Sequence, residues 1–347
     1  MLGDKKTKFL LIFIVTFSVL LTSLSFYFYQ AFFSPNALVD KEQGRTIKIP
    51  SNATFQMVVD TLYQNDIIND VVSFSFVSKM MKYQEAVRPG LYTISPKTNN
   101  INLVRMLRSG QQTPVMVTFN NVRIKEELAE KISRNLEISE QQFMDLLTDS
   151  VYIRKFGFEE ETIMSMFIPN TYEVWWNTSA EKLFDRLYNE YNKFWTEERK
   201  NKASQLGLNQ TEVSTLASIV QAETQMADER PRVAGVYLNR LKINMPLQAD
   251  PTLVFAVGDF GIKRVLNVHK EVDSPYNTYK YTGLPPGPIN LPEISALEAV
   301  LNYEDHTYLY FCAKDDFSGY HAFATSFNEH LSNARKYQSA LNRSKIY

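Results

Sequence analysis

The sequence predicts an α+β chain built from an N-terminal transmembrane helix, a small strand-and-helix unit and a larger mixed α+β region. Three observations carry that prediction. Phe9 to Phe28 is a run of twenty residues without a charge, long enough to cross a bilayer as a helix. Residues 46–110 read as strand, helix, helix, strand and helix, with alternation in "TIKI" and a 3.6-residue period in "SNATFQMVVDTLYQ". Beyond Leu206, two helices lead into loop-rich sequence, a further helix, a strand and a closing helix.

The N-terminal run follows Lys5, Lys6 and Lys8, and the next charge downstream is Asp40. Flanking cations stay on the cytoplasmic side, so the chain after the span is expected outside the inner (cytoplasmic) membrane. A cleaved signal peptide is the rival reading. The length of the run and the lack of a small-x-small site favour an uncleaved anchor. Tyr27 and Tyr29 suit the outer interface. Residues 1–30 are thus read as cytoplasmic N-terminus and anchor, and 31–44 as spacer.

In the first globular unit (45–110), Phe55, Val58, Val59 and Leu62 share a helix face. Val71 to Met81 forms a second helix, "RPGLYTI" a turn and strand, and "NINLVRMLRSG" a helix capped by Gly110. A connecting α+β region (111–205) follows. It holds a strand at Val115 to Phe119, a helix at Ile124 to Asn135, and capping-box spacing between Ser139 and Gln142. Phe167 to Ser179 is extended and aromatic, and a charged helix buries Leu183, Leu187, Tyr191 and Phe194. In the last region (206–347), Asn209 and Glu212 cap a helix, and "PRVAGVYLNRLKI" begins another with Pro231 in its first turn. A helix at Ile294 to Leu301, a strand at Thr307 to Lys314 and a helix reaching Tyr347 complete it.

Composition narrows the chemistry. The 347 residues are 44% hydrophobic and 22% charged, which is ordinary for about two globular domains. A net charge of −1 gives no case for a nucleic-acid partner. The 19 Tyr and 23 Phe offer rings on which sugars bind, although such rings more often fill cores. One cysteine, Cys312, excludes an internal disulfide and a Cys-cluster metal site. His269, His306, His321 and His330 have no zinc-ligand spacing, and no GxSxG, P-loop or GxGxxG is present. No metal and no cofactor are expected.

One residue is out of character. In "STLASIVQAETQMADER", read as one helix from Ser214 to Arg230, Leu216, Ile219, Val220 and Ala227 fall on one face at about 100° per residue. Glu223 lands in the middle of it. Desolvation there raises a carboxyl pKa, which suits a general acid. Pairing with Arg230, Arg240 or backbone donors would instead make it a structural buried ion. Periodicity leaves both open.

Two proline-stiffened polar stretches follow. "LQADPT" offers Gln248, Asp250 and Thr252, and "PYNTY" offers Tyr276, Asn277, Thr278 and Tyr279. Such stretches orient hydroxyl-rich ligands, and equally form ordinary turns. "GLPPGPI" reads as a rigid wall whose glycines admit close backbone approach, or as a linker. His321 and the Trp175–Trp176 pair read more readily as structural than as functional.

"LASIVQAET", "NRLKINMPLQADPT", "PYNTYKYTGLPPGPI" and "YLYFCAKDDFSGYHAFATSFNEH" occur in an order and spacing that resembles the MltG (YceG-like) endolytic murein transglycosylases. The resemblance runs from about residue 45 to the C-terminus. It implies a LysM-like first unit and an anchored enzyme that cuts the MurNAc–GlcNAc bond of peptidoglycan strands, leaving 1,6-anhydro-MurNAc ends. It also implies a role in strand termination during wall synthesis, near the synthesis machinery, with Glu223 as catalytic acid and base. Gln248, Asp250, Thr252, Tyr276, Asn277 and Thr278 are expected to bind substrate. Two departures matter. Family members often carry "VEKET" with two glutamates, whereas Gln221 stands here at the first, so the acid role falls to Glu223. Asn170 in "SMFIPNTY" replaces a common aspartate, which removes a carboxylate from that loop. The rivals are a muramidase using Glu223 with Asp250, and an anchored peptidoglycan-binding protein without activity.

Overall fold

The computed structural model describes residues 2–39 and 42–343. Asp40 and the end of the closing helix expected to reach Tyr347 lie outside them. The chain divides into two compact units, one made mostly of residues 1–116 and the other mostly of residues 117–347.

The first unit begins with helix α1 (Leu2–Phe33), followed by β1 (Arg45–Ile49), α2 (Phe55–Gln64), α3 (Val71–Met80), β2 (Gly90–Ile94) and α4 (Asn100–Ser109). The order read from the sequence is the order observed. Within α1, Lys5–Phe33 is long and apolar enough to cross a membrane. β1 and β2 pair antiparallel, from Arg45 opposite Ile94 to Ile49 opposite Gly90. Alternation then points Ile47, Ile49, Tyr92 and Ile94 into one core with Val58, Val59, Leu62, Phe74, Val77, Leu103 and Leu107. Thr54, Asp70 and Asn99 cap α2, α3 and α4 with their side chains. Gly110 closes α4, its N–H bonded to the Met106 carbonyl.

The chain continues through β3 (Val115–Phe119), α5 (Lys125–Ser133), α6 (Glu140–Thr148), α7 (Ser150–Arg154), β4 (Asn170–Val174), α8 (Ala180–Phe194) and α9 (Glu197–Gln205). Then come α10 (Gln210–Glu223), α11 (Arg230–Lys242), α12 (Asp250–Val257), α13 (Asn267–Lys270), α14 (Ile294–Leu301), β5 (Tyr310–Ala313), β6 (His321–Ala324) and α15 (Phe327–Arg343). β3 pairs with β4, and β5 with β6 in antiparallel register. Both predicted capping boxes form, at Ser139–Gln142 and Asn209–Glu212. Trp176 is buried, while Trp175 is half exposed.

Two expectations need correction. Residues 214–230 are not one helix. α10 stops at Glu223, and Ala227 is exposed in the turn beyond it. The cause is Thr224, which is extended (φ −136°, ψ 135°). Its hydroxyl accepts the Met226 N–H at 3.0 Å and donates to the Glu229 carboxylate at 3.3 Å, a local turn that competes with helix propagation. Nor is α10 a one-faced helix. Every residue from Val213 to Val220 is buried, so it runs through the middle of its unit, packed on α11 and α14. The buried hydroxyls of Thr215 and Ser218 return to backbone carbonyls at 2.9 and 2.7 Å, which meets their hydrogen-bonding need internally.

Candidate active site

Glu223 is the last residue of α10, and its carboxyl stands in the wall of a cleft of about 1020 Å³. It is only partly exposed. Desolvation by the packed helices raises its pKa from 4.5 to about 7, and the negative charge of Asp250 adds to the rise. Two groups oppose this. The Tyr237 hydroxyl donates to Glu223 Oε1 at 2.7 Å, and the Arg240 guanidinium contributes at longer range. Neither arginine considered from the sequence pairs with Glu223. Arg230 binds Glu293 at 3.0 Å and Ser295 at 2.7 Å, while Arg240 donates to the carbonyls of Leu309 and Leu247, both at 2.7 Å. Among the described residues Glu223 therefore has a phenol and no ion pair. A carboxyl that titrates near neutrality and opens onto a cleft can deliver a proton and take it back.

Tyr237 was not visible in the sequence as a site residue. It lies on α11, fourteen positions after Glu223, and only the packing of α11 on α10 brings the two together. It is buried, and burial with the nearby Glu223 charge pushes its phenol well above the usual range, so it acts as a donor.

Gln221 has a different task. Its Oε1 accepts the Glu293 N–H at 2.6 Å. One turn earlier, the Ser218 hydroxyl accepts the Ile289 N–H at 3.0 Å, and the Ser218 carbonyl accepts from Asn290 at 2.8 Å. These bonds fasten the "GLPPGPINLPE" stretch along α10. Pro285, Gly287, Pro288 and Ile289 are buried there, so the stretch is wall and not linker.

The two polar stretches meet. Gln248, with a left-handed backbone (φ 50°), donates its N–H to the Thr278 carbonyl at 3.0 Å. The Thr278 hydroxyl accepts the Ala249 N–H at 3.0 Å and lies 2.8 Å from the Thr252 hydroxyl. Asp250, read as a loop residue, starts α12, with Pro251 at a first-turn position that lacks an intrahelical partner anyway. Its carboxylate lines the cleft and accepts from Tyr279 at 2.6 Å, and burial, with this bond added, pushes that phenol well up.

The six residues expected at the substrate thus fall into two groups. Gln248 and Asp250 are exposed, and Tyr276 is half-buried against the Phe255 ring at 4.7 Å. Thr252, Asn277 and Thr278 are buried. The Asn277 side chain is committed internally, donating to the carbonyls of Lys270 and Val272 at 2.9 and 2.8 Å and accepting the Tyr279 N–H at 3.0 Å. Val122, Arg123 and Glu127 also line the cleft, from a region that the sequence offered only as connecting. Arg123 stacks its guanidinium 5.1 Å from the Phe260 ring, closing one rim. His321, read as structural, holds the Glu229 carboxylate at 2.6 Å in the turn after α10.

The chain belongs to the YceG-like family, whose profile matches residues 47–336. A relative from Bacillus subtilis named endolytic murein transglycosylase is 29% identical over 324 residues, covering 88% of each chain. One of the same name from Streptococcus pneumoniae (D39) is 26% identical over 346 residues, and there the match spans 87% of this chain and 61% of the relative. A crystal structure of a yceG-like protein from Listeria monocytogenes aligns with a TM-score of 0.55 at 25% identity, over 84% of this chain and 99% of that one.

Proposed function

We propose that the protein is a membrane-anchored endolytic murein transglycosylase with Glu223 as its single acid and base. The observation that carries this reading is a carboxyl with a pKa of about 7 at the foot of an open cleft, bonded by Tyr237 on one oxygen only. Protonated Glu223 donates to the oxygen leaving from N-acetylmuramic acid. The resulting carboxylate then takes the proton of that sugar's C6 hydroxyl as its oxygen attacks C1 and closes the anhydro ring. Because the nucleophile belongs to the substrate, no second catalytic carboxylate is needed, and its proximity supplies much of the rate. Asp250 faces the positive charge that develops on the ring. Gln248, Asp250 and Tyr276 contact the strand, while Thr252, Asn277 and Thr278 hold the wall in shape.

The α1 helix anchors the chain with residues 1–8 in the cytoplasm and the cleft outside. The β1–α2–α3–β2 arrangement is the LysM-like unit and grips glycan. An endolytic cut of this kind terminates growing strands, which puts the enzyme beside the synthesis machinery.

Asp250 lies close enough to raise the pKa of Glu223, so a muramidase with Asp250 as second carboxylate is the other reading. Mass spectrometry of digested strands separates the two. Anhydro ends are expected throughout, and ordinary reducing ends in their place would establish hydrolysis. Tyr237→Phe tests the acid directly. Loss of the hydrogen bond that favours the Glu223 anion should raise its pKa by about one to two units and move the alkaline limb of the kcat/KM profile up by the same amount. An unmoved limb would remove Glu223 as the titrating acid.

A further inference from the structure

The outer end of α1 is built into the first unit. Asn100 donates to the Ala31 carbonyl at 2.9 Å, and Ala31 is buried. Phe76 of α3 meets the rings of Tyr27, Phe28 and Phe32 at 6.5, 5.6 and 6.0 Å. α3 is itself apolar, and it turns Phe74 and Val77 to the core while Met80 stays 58% exposed. Met80 lines an apolar groove of about 540 Å³ together with Leu24, Ser25, Phe28 and Phe33 of α1.

The depth of that groove decides its surroundings. At 1.5 Å per residue, an uncharged run starting at Phe9 fills a hydrocarbon core of about 30 Å by Phe28. Leu24 is one turn short of that point, about 6 Å inside. Met80 shares the groove with α1 residues from Leu24 to Phe33, which straddle that point, so it lies at the Phe28 boundary of the hydrocarbon. Lys79 and Lys82 flank it in the chain, and neither makes an ion pair among the described residues. Long basic side chains at this level reach back to lipid headgroups.

The geometry points to a second membrane contact. The C-terminal end of α3, led by Met80, enters the lipid at the Phe28 end of α1 and seats the first unit on the bilayer. This rests on the reading of α1 as a span. Lipid is the occupant because the groove is continuous with the exposed apolar surface of α1 that includes Leu20 and Leu24.

The test uses the full chain in lipid nanodiscs with Cys312→Ala and one spin-labelled cysteine per variant. At Met80→Cys, power saturation should give high accessibility to oxygen and low accessibility to a nickel chelate, as at Leu20→Cys. Tyr63→Cys, on the exposed side of α2, should read as aqueous. An aqueous Met80 site beside a lipid-exposed Leu20 site would overturn the proposal alone. An aqueous Leu20 site would overturn the anchor reading, and the proposal with it.

Discussion

Glu223→Gln is expected to lower cleavage of peptidoglycan strands by at least about a thousandfold, because the amide cannot protonate the leaving oxygen. The same substitution should leave the fold intact and make it more stable in alkali. In the native chain this carboxyl keeps its proton up to a pH of about 7, whereas an ordinary glutamate releases it near 4.5. Between those values the folded state binds more protons than the unfolded state, so stability falls as pH rises. Above pH 7 the native chain carries the whole cost of an ionised, desolvated carboxylate, up to about 3 kcal/mol for a shift of this size. Glutamine escapes that cost and can still accept from Tyr237. The difference in melting temperature between variant and parent should therefore be present at pH 8 and vanish near pH 4. Retained cleavage with a large loss of thermal stability would return Glu223 to a structural role.

Gly287→Ala should be among the most damaging single-methyl additions in the chain. A β-carbon there would overlap the Glu161 carbonyl oxygen and lie 2.8 Å from its carbon, and backbone cannot rotate aside. The stretch has to shift, yet Ser218 and Gln221 fix it to the last turns of α10. The shift therefore reaches the turn that carries Glu223. Destabilisation of about 3 kcal/mol is expected, with a parallel loss of activity. Gly283→Ala in the same stretch is the control. It has open space around it but a backbone φ of +87°, so strain alone should cost about 1 kcal/mol. Equal effects in denaturant titrations would mean that close packing at Gly287 is not what fixes the wall.

The sequence made the local features legible and left the long-range ones hidden. Capping at Asn209 and Ser139 depends on residues three apart, and both caps form where expected. The end of α10 is not legible because the helical period does not mark Thr224 as a turn residue, and the Glu229 carboxylate that accepts from it is itself held by His321, far along the chain. Glu223 was legible because a carboxylate among aliphatics breaks the helix pattern. Tyr237 was not, because a tyrosine in an apolar helix fits that pattern well. Asn277 illustrates the reverse limit. Its residue type suggested ligand binding, and only coordinates reveal that neighbouring backbone already occupies its donors and acceptors.

The enclosure of α10 has a consequence for motion. Elements buried on every side open last, and their amides exchange with solvent slowest. Glu223 is mounted at the end of such a rod, behind eight consecutive buried residues. The exposed residues Lys263 and Arg264 sit across the same cleft on a short irregular segment with little core of its own. On the proposed reading of Glu223, a strand entering the cleft meets a proton donor on a rigid mount, faced by an exposed rim with little core to hold it.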